Sequence, residues 1–440
     1  MTKEVKIIGA GLAGCEAAWF LANRGVKVHL YEQKPVKFSP AHKSKNFAEL
    51  VCSNSLKSLR PDSSQGMLKA EMEHFGSLVY ESALKCSVPA GGALAVDRDI
   101  FSDIITQKVK NHPNITISYE EVMEIDTDEL TIIASGPLTS GSLYENIKRI
   151  CGEGMSFYDA AAPIVMADSI DMEKVFAASR YDKGDDDYLN CPFNKEEYEA
   201  FYQALTGAER AELHSFDRDI NVYEGCMPIE IMARRGADTM RFGPMKPVGL
   251  RDPRTGHRPW ANVQLRCENA EKTMYNIVGF QTNLKFGEQK RVFGMIPGLE
   301  NAVFARYGVM HRNSFINSPK VLNNTLNLKQ YPNIYFAGQI TGMEGYMESS
   351  MCGLLAGYFV WCKLQDKTPQ IPDKTTVCGA LLDYITTENK DFQPMGANMG
   401  ILPSLPERIK DKKLRYRTIA DRGLEDLRNA LCEQGIAAQR

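Results

Sequence analysis

Gly9, Gly11 and Gly14 stand in G-x-G-x-x-G spacing within Gly9-Ala10-Gly11-Leu12-Ala13-Gly14, and Glu32 follows Gly11 by 21 residues. The chemistry open to this set is to hold a dinucleotide. Glycines let the backbone approach a pyrophosphate, the N-terminus of a following helix stabilises its charge, and an acid closing the next strand accepts hydrogen bonds from a ribose. The flanking residues supply those elements. Val5–Ile8 is an apolar run suited to a buried strand, and Cys15 to Asn23 carries Ala17, Ala18, Phe20 and Leu21 at helical spacing, with Gly25 placed to end the helix. Val26 to Tyr31 reads as the second strand, finishing at Glu32. A bare glycine pattern also occurs in turns that bind nothing; here strand, turn, helix, strand and acid come in the order a dinucleotide fold requires. An acid at position 32 disfavours a 2′-phosphate, so FAD or NAD is expected rather than NADP.

Two further segments favour FAD. Leu130-Thr131-Ile132-Ile133-Ala134-Ser135-Gly136 resembles the strand-plus-glycine segment of flavoproteins of the glutathione-reductase-like class, and Ile334-Tyr335-Phe336-Ala337-Gly338-Gln339 resembles their second flavin fingerprint. Most such enzymes place Asp after that glycine. Gln339 keeps the hydrogen-bonding capacity without the charge. No second G-x-G-x-x-G lies mid-chain, so a dedicated NAD(P)H domain is not expected, and the nicotinamide reductant enters as a co-substrate.

These elements sit in a 440-residue chain, 43% apolar and 24% charged, with formal net charge −3. That composition excludes disordered and fibrous classes, and excludes a protein drawn to nucleic acid by overall charge. Charge is uneven, however: residues 171–230 hold 6 basic against 15 acidic side chains, 231–291 hold 12 against 5, and 407–422 hold 7 against 3. The basic stretches suit local polyanion binding or plain surface solvation. The eleven cysteines include no C-x-x-C pair, which argues against zinc-ribbon and thioredoxin sites and for reduced thiols; no metal is expected. The first strand begins beside the initial Met, leaving no room for a signal peptide, and no apolar run nears the roughly 18 residues of a membrane span. A cytoplasmic protein without a membrane partner is therefore expected. Along the chain, a polar stretch from Gln33 to Gly66 is a functional-loop candidate, Gly66 to Lys85 reads as one amphipathic helix, and Asp97 is placed to cap another. The expected architecture is α/β: a Rossmann-like FAD-binding domain of the glutathione-reductase-like class, in two parts (1–140 and 301–440, the second with a basic C-terminal helical region), interrupted by an inserted α+β substrate domain at 141–300.

Cys52-Ser53-Asn54-Ser55-Leu56-Lys57, Gly225-Cys226-Met227-Pro228, Gly279-Phe280-Gln281-Thr282-Asn283-Leu284 and Gly342-Met343-Glu344-Gly345-Tyr346-Met347-Glu348-Ser349 follow one another in order. Together they resemble the folate- and FAD-dependent tRNA uracil-5-methyltransferase family, over essentially the whole chain. The resemblance implies an enzyme that methylates the T-loop uridine of tRNA, with methylenetetrahydrofolate as carbon donor and reduced FAD as reductant. The chemistry is consistent with this. Carbon 5 of uracil is a poor nucleophile until a thiolate adds to carbon 6; a second group must then take the carbon-5 proton, and a hydride must complete the methyl group.

The resemblance assigns the flavin to Gly9, Ala10, Gly11, Leu12, Ala13, Gly14, Glu32, Gly338 and Gln339. It makes Cys226 the expected nucleophile, ahead of the basic Arg234, Arg235 and Arg241, which would hold RNA phosphate, and makes Cys52 the expected acid/base. Cys191, in a similar Cys-Pro turn, is a rival. His311, flanked by Arg312 and Asn313, and Tyr346 are the candidate planes for the pterin of the folate. Three other readings stay open: the same chemistry on a ribosomal RNA uridine, a plain FAD-dependent oxidoreductase of small molecules, and a catalytically silent flavin-binding RNA scaffold.

Overall fold

A computed structural model describes residues 4–39, 41–152, 155–182, 187–211, 227–389 and 392–436, with the backbone alone at 155–160, 182, 311 and 312. The apolar run Val5–Ile8 is the middle strand of a five-stranded parallel sheet. It pairs on one side with Val28–Glu32, followed by Ile115–Tyr119, and on the other with Thr131–Ile133, followed by Ile334–Phe336. Ile7 lies opposite both Leu30 and Ile132 and is fully buried, as a strand covered on both faces must be. The last strand comes from the far end of the chain, so both ends build one nucleotide fold.

A close helix contact makes this possible. Leu12–Ala22 packs on Tyr346–Leu364, and both are rich in small residues where they meet. A side chain at Gly353 would overlap the Ala13 carbonyl, and one at Gly357 would stand 3.2 Å from the Ala17 carbonyl oxygen. Cys352 and Cys362 are buried in the same helix as packing groups.

The expected single helix from Gly66 to Lys85 is two, Ser64–Phe75 and Leu78–Lys85. Gly76 takes φ +74°, and Ser77 starts the second helix by accepting from the Tyr80 amide at 3.0 Å. Glu16, buried in the first helix of the chain, accepts from Ser77 Oγ and from the amides of Leu78 (3.0 Å) and Val79 (2.9 Å). Burial pushes its carboxyl up to about 7. Apolar spacing continued across this break, which is why periodicity alone does not reveal it. Asp97 does cap Arg98–Lys110, through the amides of Asp99 and Ile100.

The middle of the chain forms a separate six-stranded antiparallel sheet, ordered Phe176–Ala177, Tyr188–Phe193, Ala261–Cys267, Met274–Ile277, Ile164–Met166 and Phe304–Arg306. Helices Lys195–Thr206, Ile229–Arg234 and Phe286–Phe293 contribute to its own apolar core, drawn from residues between Val165 and Phe304. The other large core takes residues from Val5 to Ile150 and from Phe315 to Ile436, and so includes Leu143, Ile147 and Ile150 of helix Gly141–Cys151. A two-stranded ribbon, Met155–Ala160 against Met310–Phe315, carries the chain out and back. No helix among the described residues is long and apolar enough to cross a membrane.

Gly353→Val should destabilise the fold by about 3 kcal/mol, because neither helix can retreat without opening the sheet-helix core. Gly287→Ala, at a helical position with nothing near the added carbon, should instead be neutral or stabilise by about 0.5 kcal/mol. Urea unfolding midpoints of the two variants decide both expectations.

Candidate functional site

One long pocket runs along the carboxyl ends of the parallel strands. Tyr31, Glu32 and Val122 line one end, Gly9 to Ala13 with Ser135 and Thr139 line the middle, and Gly338, Gln339 and Tyr346 line the other end. This is where a doubly wound sheet places a dinucleotide. The three fingerprint glycines have different reasons for being glycine. A side chain at Gly14 would overlap the Gly9 carbonyl oxygen, and one at Gly9, where φ is +103°, would come within 2.6 Å of the Ala134 carbonyl oxygen. Gly11 has no such neighbour: its added carbon would meet no protein atom within 4 Å and would enter the pocket itself. The protein gives no packing reason for glycine there; a pyrophosphate lying against the backbone does. On this ground the cradle fits FAD.

Glu32 is buried, and its two carboxylate oxygens accept from the amides of Ala10 (3.0 Å) and Lys34 (2.9 Å). It thus fixes the glycine turn as well as facing the end where a ribose would lie. Gln339 donates its side-chain amide to Glu344 at 2.6 Å, which orients it beside Gly338. Gly338 takes φ +85°, and a side chain there would crowd Ala13 at 2.8 Å, so the second fingerprint touches the first.

Tyr346 joins the pocket to the polar loop. Its hydroxyl accepts from the amides of Cys52 (2.7 Å) and Ser53 (3.2 Å). Burial, and then the charge of the nearby Cys52, raises this phenol well above its ordinary pKa, so it holds its proton. Three arginines, which the sequence reading passed over, fix the same loop. Arg266 Nε donates to Asn54 Oδ1 at 2.9 Å and its Nη2 to Ser53 Oγ at 2.8 Å. Arg98 pairs with Glu268 at 2.7 Å and donates to the Leu50 carbonyl at 2.9 Å. Arg306 donates to the Val51 carbonyl. Burial and the adjacent Arg98 lower the pKa of Arg306, while Cys52 acts in the opposite direction, which places its guanidinium within electrostatic range of that thiol. Arg266 and Arg306 come from the antiparallel sheet, some 210 and 250 residues along the chain from the loop; no local pattern announces them.

Cys226 lies outside the described residues. The chain enters that stretch after Ala211, whose amide donates to the Asn283 carbonyl at 2.8 Å, and resumes at Met227, with the Ile229 amide on the Gln281 carbonyl at 2.7 Å. Buried Glu230 braces the same turn through Thr282 Oγ1 (2.9 Å) and the Asn283 amide (2.8 Å). Cys191 is fully buried in strand Tyr188–Phe193, and burial raises its thiol far above the ordinary range, so the rival nucleophile is a core residue. His311 is on strand Met310–Phe315, opposite Asp159, and its side chain is outside the described set; the flanking Asn313 is buried. Arg234 and Arg235 are exposed at the end of helix Ile229–Arg234, whereas Arg241 is engaged by Asp238 (2.6 Å) and the Trp260 carbonyl (3.0 Å). Among the described residues, no three His, Cys, Asp or Glu side chains converge as metal ligands.

Residues 4–368 match the model of the family described as glucose inhibited division protein A. Proteins named methylenetetrahydrofolate–tRNA-(uracil-5-)-methyltransferase TrmFO are 55% identical in Halalkalibacterium halodurans over 97% of this chain and 98% of theirs, and 58% identical in Enterococcus faecalis with the same coverage. The chain belongs to this methyltransferase branch of the family. The structure of Aquifex aeolicus GidA superposes with a TM-score of 0.72 at 16% identity, covering 100% of this chain and 74% of that one, which shows the shared fold.

Gly11→Val should purify folded but colourless, with an unfolding midpoint near that of the unsubstituted protein. Gly14→Val should fail to accumulate as folded protein. The absorbance near 450 nm and the far-UV spectrum of each separate the two cases, and full flavin in Gly11→Val would remove the pyrophosphate from this turn.

Proposed function

We propose that the chain methylates carbon 5 of a tRNA uridine, the T-loop position that becomes ribothymidine, with methylenetetrahydrofolate as carbon donor, FAD as its resident cofactor and NAD(P)H as source of electrons. The carrying observation is the hydroxyl of Tyr346, which lines the dinucleotide pocket and holds the backbone of the Cys52 loop. The backbone of a cysteine is thereby held next to the dinucleotide cradle, in a chain whose relatives are named for this reaction.

When bound, reduced FAD supplies the hydride that completes the methyl group. The protein's own residues do the rest. Cys226 adds to carbon 6 of the uracil, so making carbon 5 nucleophilic, and is expelled again when the carbon 5–carbon 6 double bond is restored. Cys52 removes the carbon-5 proton once the new carbon bond has formed; the Arg306 guanidinium is held next to it, on the Val51 carbonyl. Residues 52–54 are tied in place by Tyr346 on the two amides and by Arg266 on the Ser53 and Asn54 side chains. Tyr346 and His311 are the candidate planes for the pterin of the folate. The domain built on the antiparallel sheet carries the RNA contacts, with Arg234 and Arg235 on phosphate.

Purified holoenzyme incubated in parallel with unmodified tRNA or unmodified ribosomal RNA, together with labelled methylenetetrahydrofolate and reduced nicotinamide, should place label in the ribothymidine of the tRNA; label in the ribosomal RNA alone, or in neither, would overturn the assignment of substrate. Cys226→Ala should abolish methylation and leave flavin reduction intact. Cys52→Ala should also lower methylation but still form a covalent adduct with 5-fluorouridine tRNA, stable on denaturing gels. If instead Cys226→Ala forms that adduct and Cys52→Ala does not, the two roles are exchanged. Replacing Arg234 and Arg235 by Ala should weaken tRNA binding and flatten its dependence on salt without changing flavin content.

A further inference from the structure

Three aromatic rings of the antiparallel-sheet domain lie face to face. Phe304 and Tyr307 have centroids 4.9 Å apart and planes within 10°, and Tyr307 and Phe286 are 4.8 Å apart and within 18°. The interior pairs of the same domain behave differently: Phe193 with Tyr198 and Phe201, and Phe280 with Phe201 and Phe293, meet at 44° to 87°. Aromatic pairs favour edge-on and offset-stacked geometries alike, so what sets these rings apart is where they lie. The parallel ladder is at the surface instead, where Phe304 and Tyr307 are half-buried and the terminal ring, Phe286, is 55% exposed.

Its position matters as much as its geometry. Tyr307 follows Arg306, which binds the Val51 carbonyl next to Cys52. Phe286 follows Lys285, whose amide donates to the Glu209 carbonyl at 3.1 Å, beside the pairing of Asn283 with Ala211. The residues of the ladder are therefore sequence neighbours of Arg306, which reaches the Cys52 loop, and of the turn where Asn283 pairs with Ala211. Helix Phe286–Phe293 opens with the exposed ring and carries Lys290 and Arg291 against the single acid Glu288; Lys290 makes no ion pair among the described residues.

We infer that the outer face of Phe286 stacks an unpaired nucleobase of the substrate tRNA, one flanking the target uridine. This rests on the reading of tRNA as substrate. A uracil attacked at carbon 6 has to leave its stack, which strips its neighbour of a partner. A flat aromatic face next to cationic side chains replaces that partner without reading sequence. Two rings behind Phe286 keep its plane fixed before RNA arrives, so little side-chain freedom is lost on binding.

The test uses holoenzyme carrying Phe286→Ala, Phe286→Leu or Phe286→Tyr, with KM and kcat for tRNA, KM for methylenetetrahydrofolate, and direct tRNA affinity by filter binding. Phe286→Ala and Phe286→Leu should raise the tRNA Kd and KM on the order of tenfold, with the folate KM, flavin absorbance and unfolding midpoint unchanged. Phe286→Tyr should return tRNA affinity to within about twofold of the starting protein. Unchanged tRNA affinity in Ala and Leu would overturn the inference, as would a rise confined to the folate KM, which would assign the ladder to the ring system of the folate. If Ala lowers the unfolding midpoint, the Leu variant, which keeps apolar bulk but has no π-face, decides. Should the unsubstituted protein bind tRNA but place no label in it, the functional reading fails, while the binding comparison still decides for or against Phe286.

Discussion

The contact between the Ala13 carbonyl and Gly353 governs much of the molecule. A helix that begins at the fingerprint turn can lie against a helix from the far end of the chain only if one of them has no side chain at the crossing. That crossing brings Gly338 onto Ala13, and with it the second fingerprint onto the first. The pocket's two ends are then set by one packing distance. Widening it by a methyl group would move Gln339 and Tyr346 away from the glycine turn, and the Cys52 loop would follow, since it hangs on the Tyr346 hydroxyl.

The second dependence is polar. Residues 52–54 have little apolar surface to hold them, so the loop is fixed by buried hydrogen bonds: Arg266 on Asn54 and Ser53, Asn54 on the Val96 and Cys267 carbonyls, and Tyr346 on two amides. A buried guanidinium is costly unless its donors are met, and here they are met by the loop itself. The arrangement ties the antiparallel sheet to the nucleotide fold through the very residues assigned to proton transfer. Precision at the thiol is thus linked to the correct seating of the antiparallel-sheet domain.

The sequence was most legible where function is local. The fingerprint, its strand and helix and Glu32 follow from spacing because a dinucleotide cradle is made of consecutive backbone; the second fingerprint follows from its resemblance to that of flavoproteins. Asp97 was readable as a cap for the same reason. What escaped was everything that depends on distant chain segments meeting. Arg266 looks like an ordinary member of the basic stretch 231–291, and Arg306 like an isolated strand cation, until the fold carries them to the Cys52 loop. The break at Gly76–Ser77 hid behind apolar spacing that continues across it, because the carboxylate that finishes the cap comes from Glu16, sixty residues earlier. Cys191 resembled a reactive Cys-Pro turn but lies in the middle of a buried strand, which no count of cysteines reveals.

The ribbon formed by Met155–Ala160 and Met310–Phe315 has a consequence of another kind. The antiparallel-sheet domain leaves and rejoins the nucleotide fold at paired neighbours, with Met155 opposite Phe315 and Ala160 opposite Met310. To the parent fold, the roughly 150 residues between them are one hairpin, and lengthening a loop whose ends are already joined adds little closure entropy. The inserted module can therefore be enlarged, trimmed or exchanged while the nucleotide fold stays as it is. One dinucleotide-binding scaffold can in this way come to carry many different second domains.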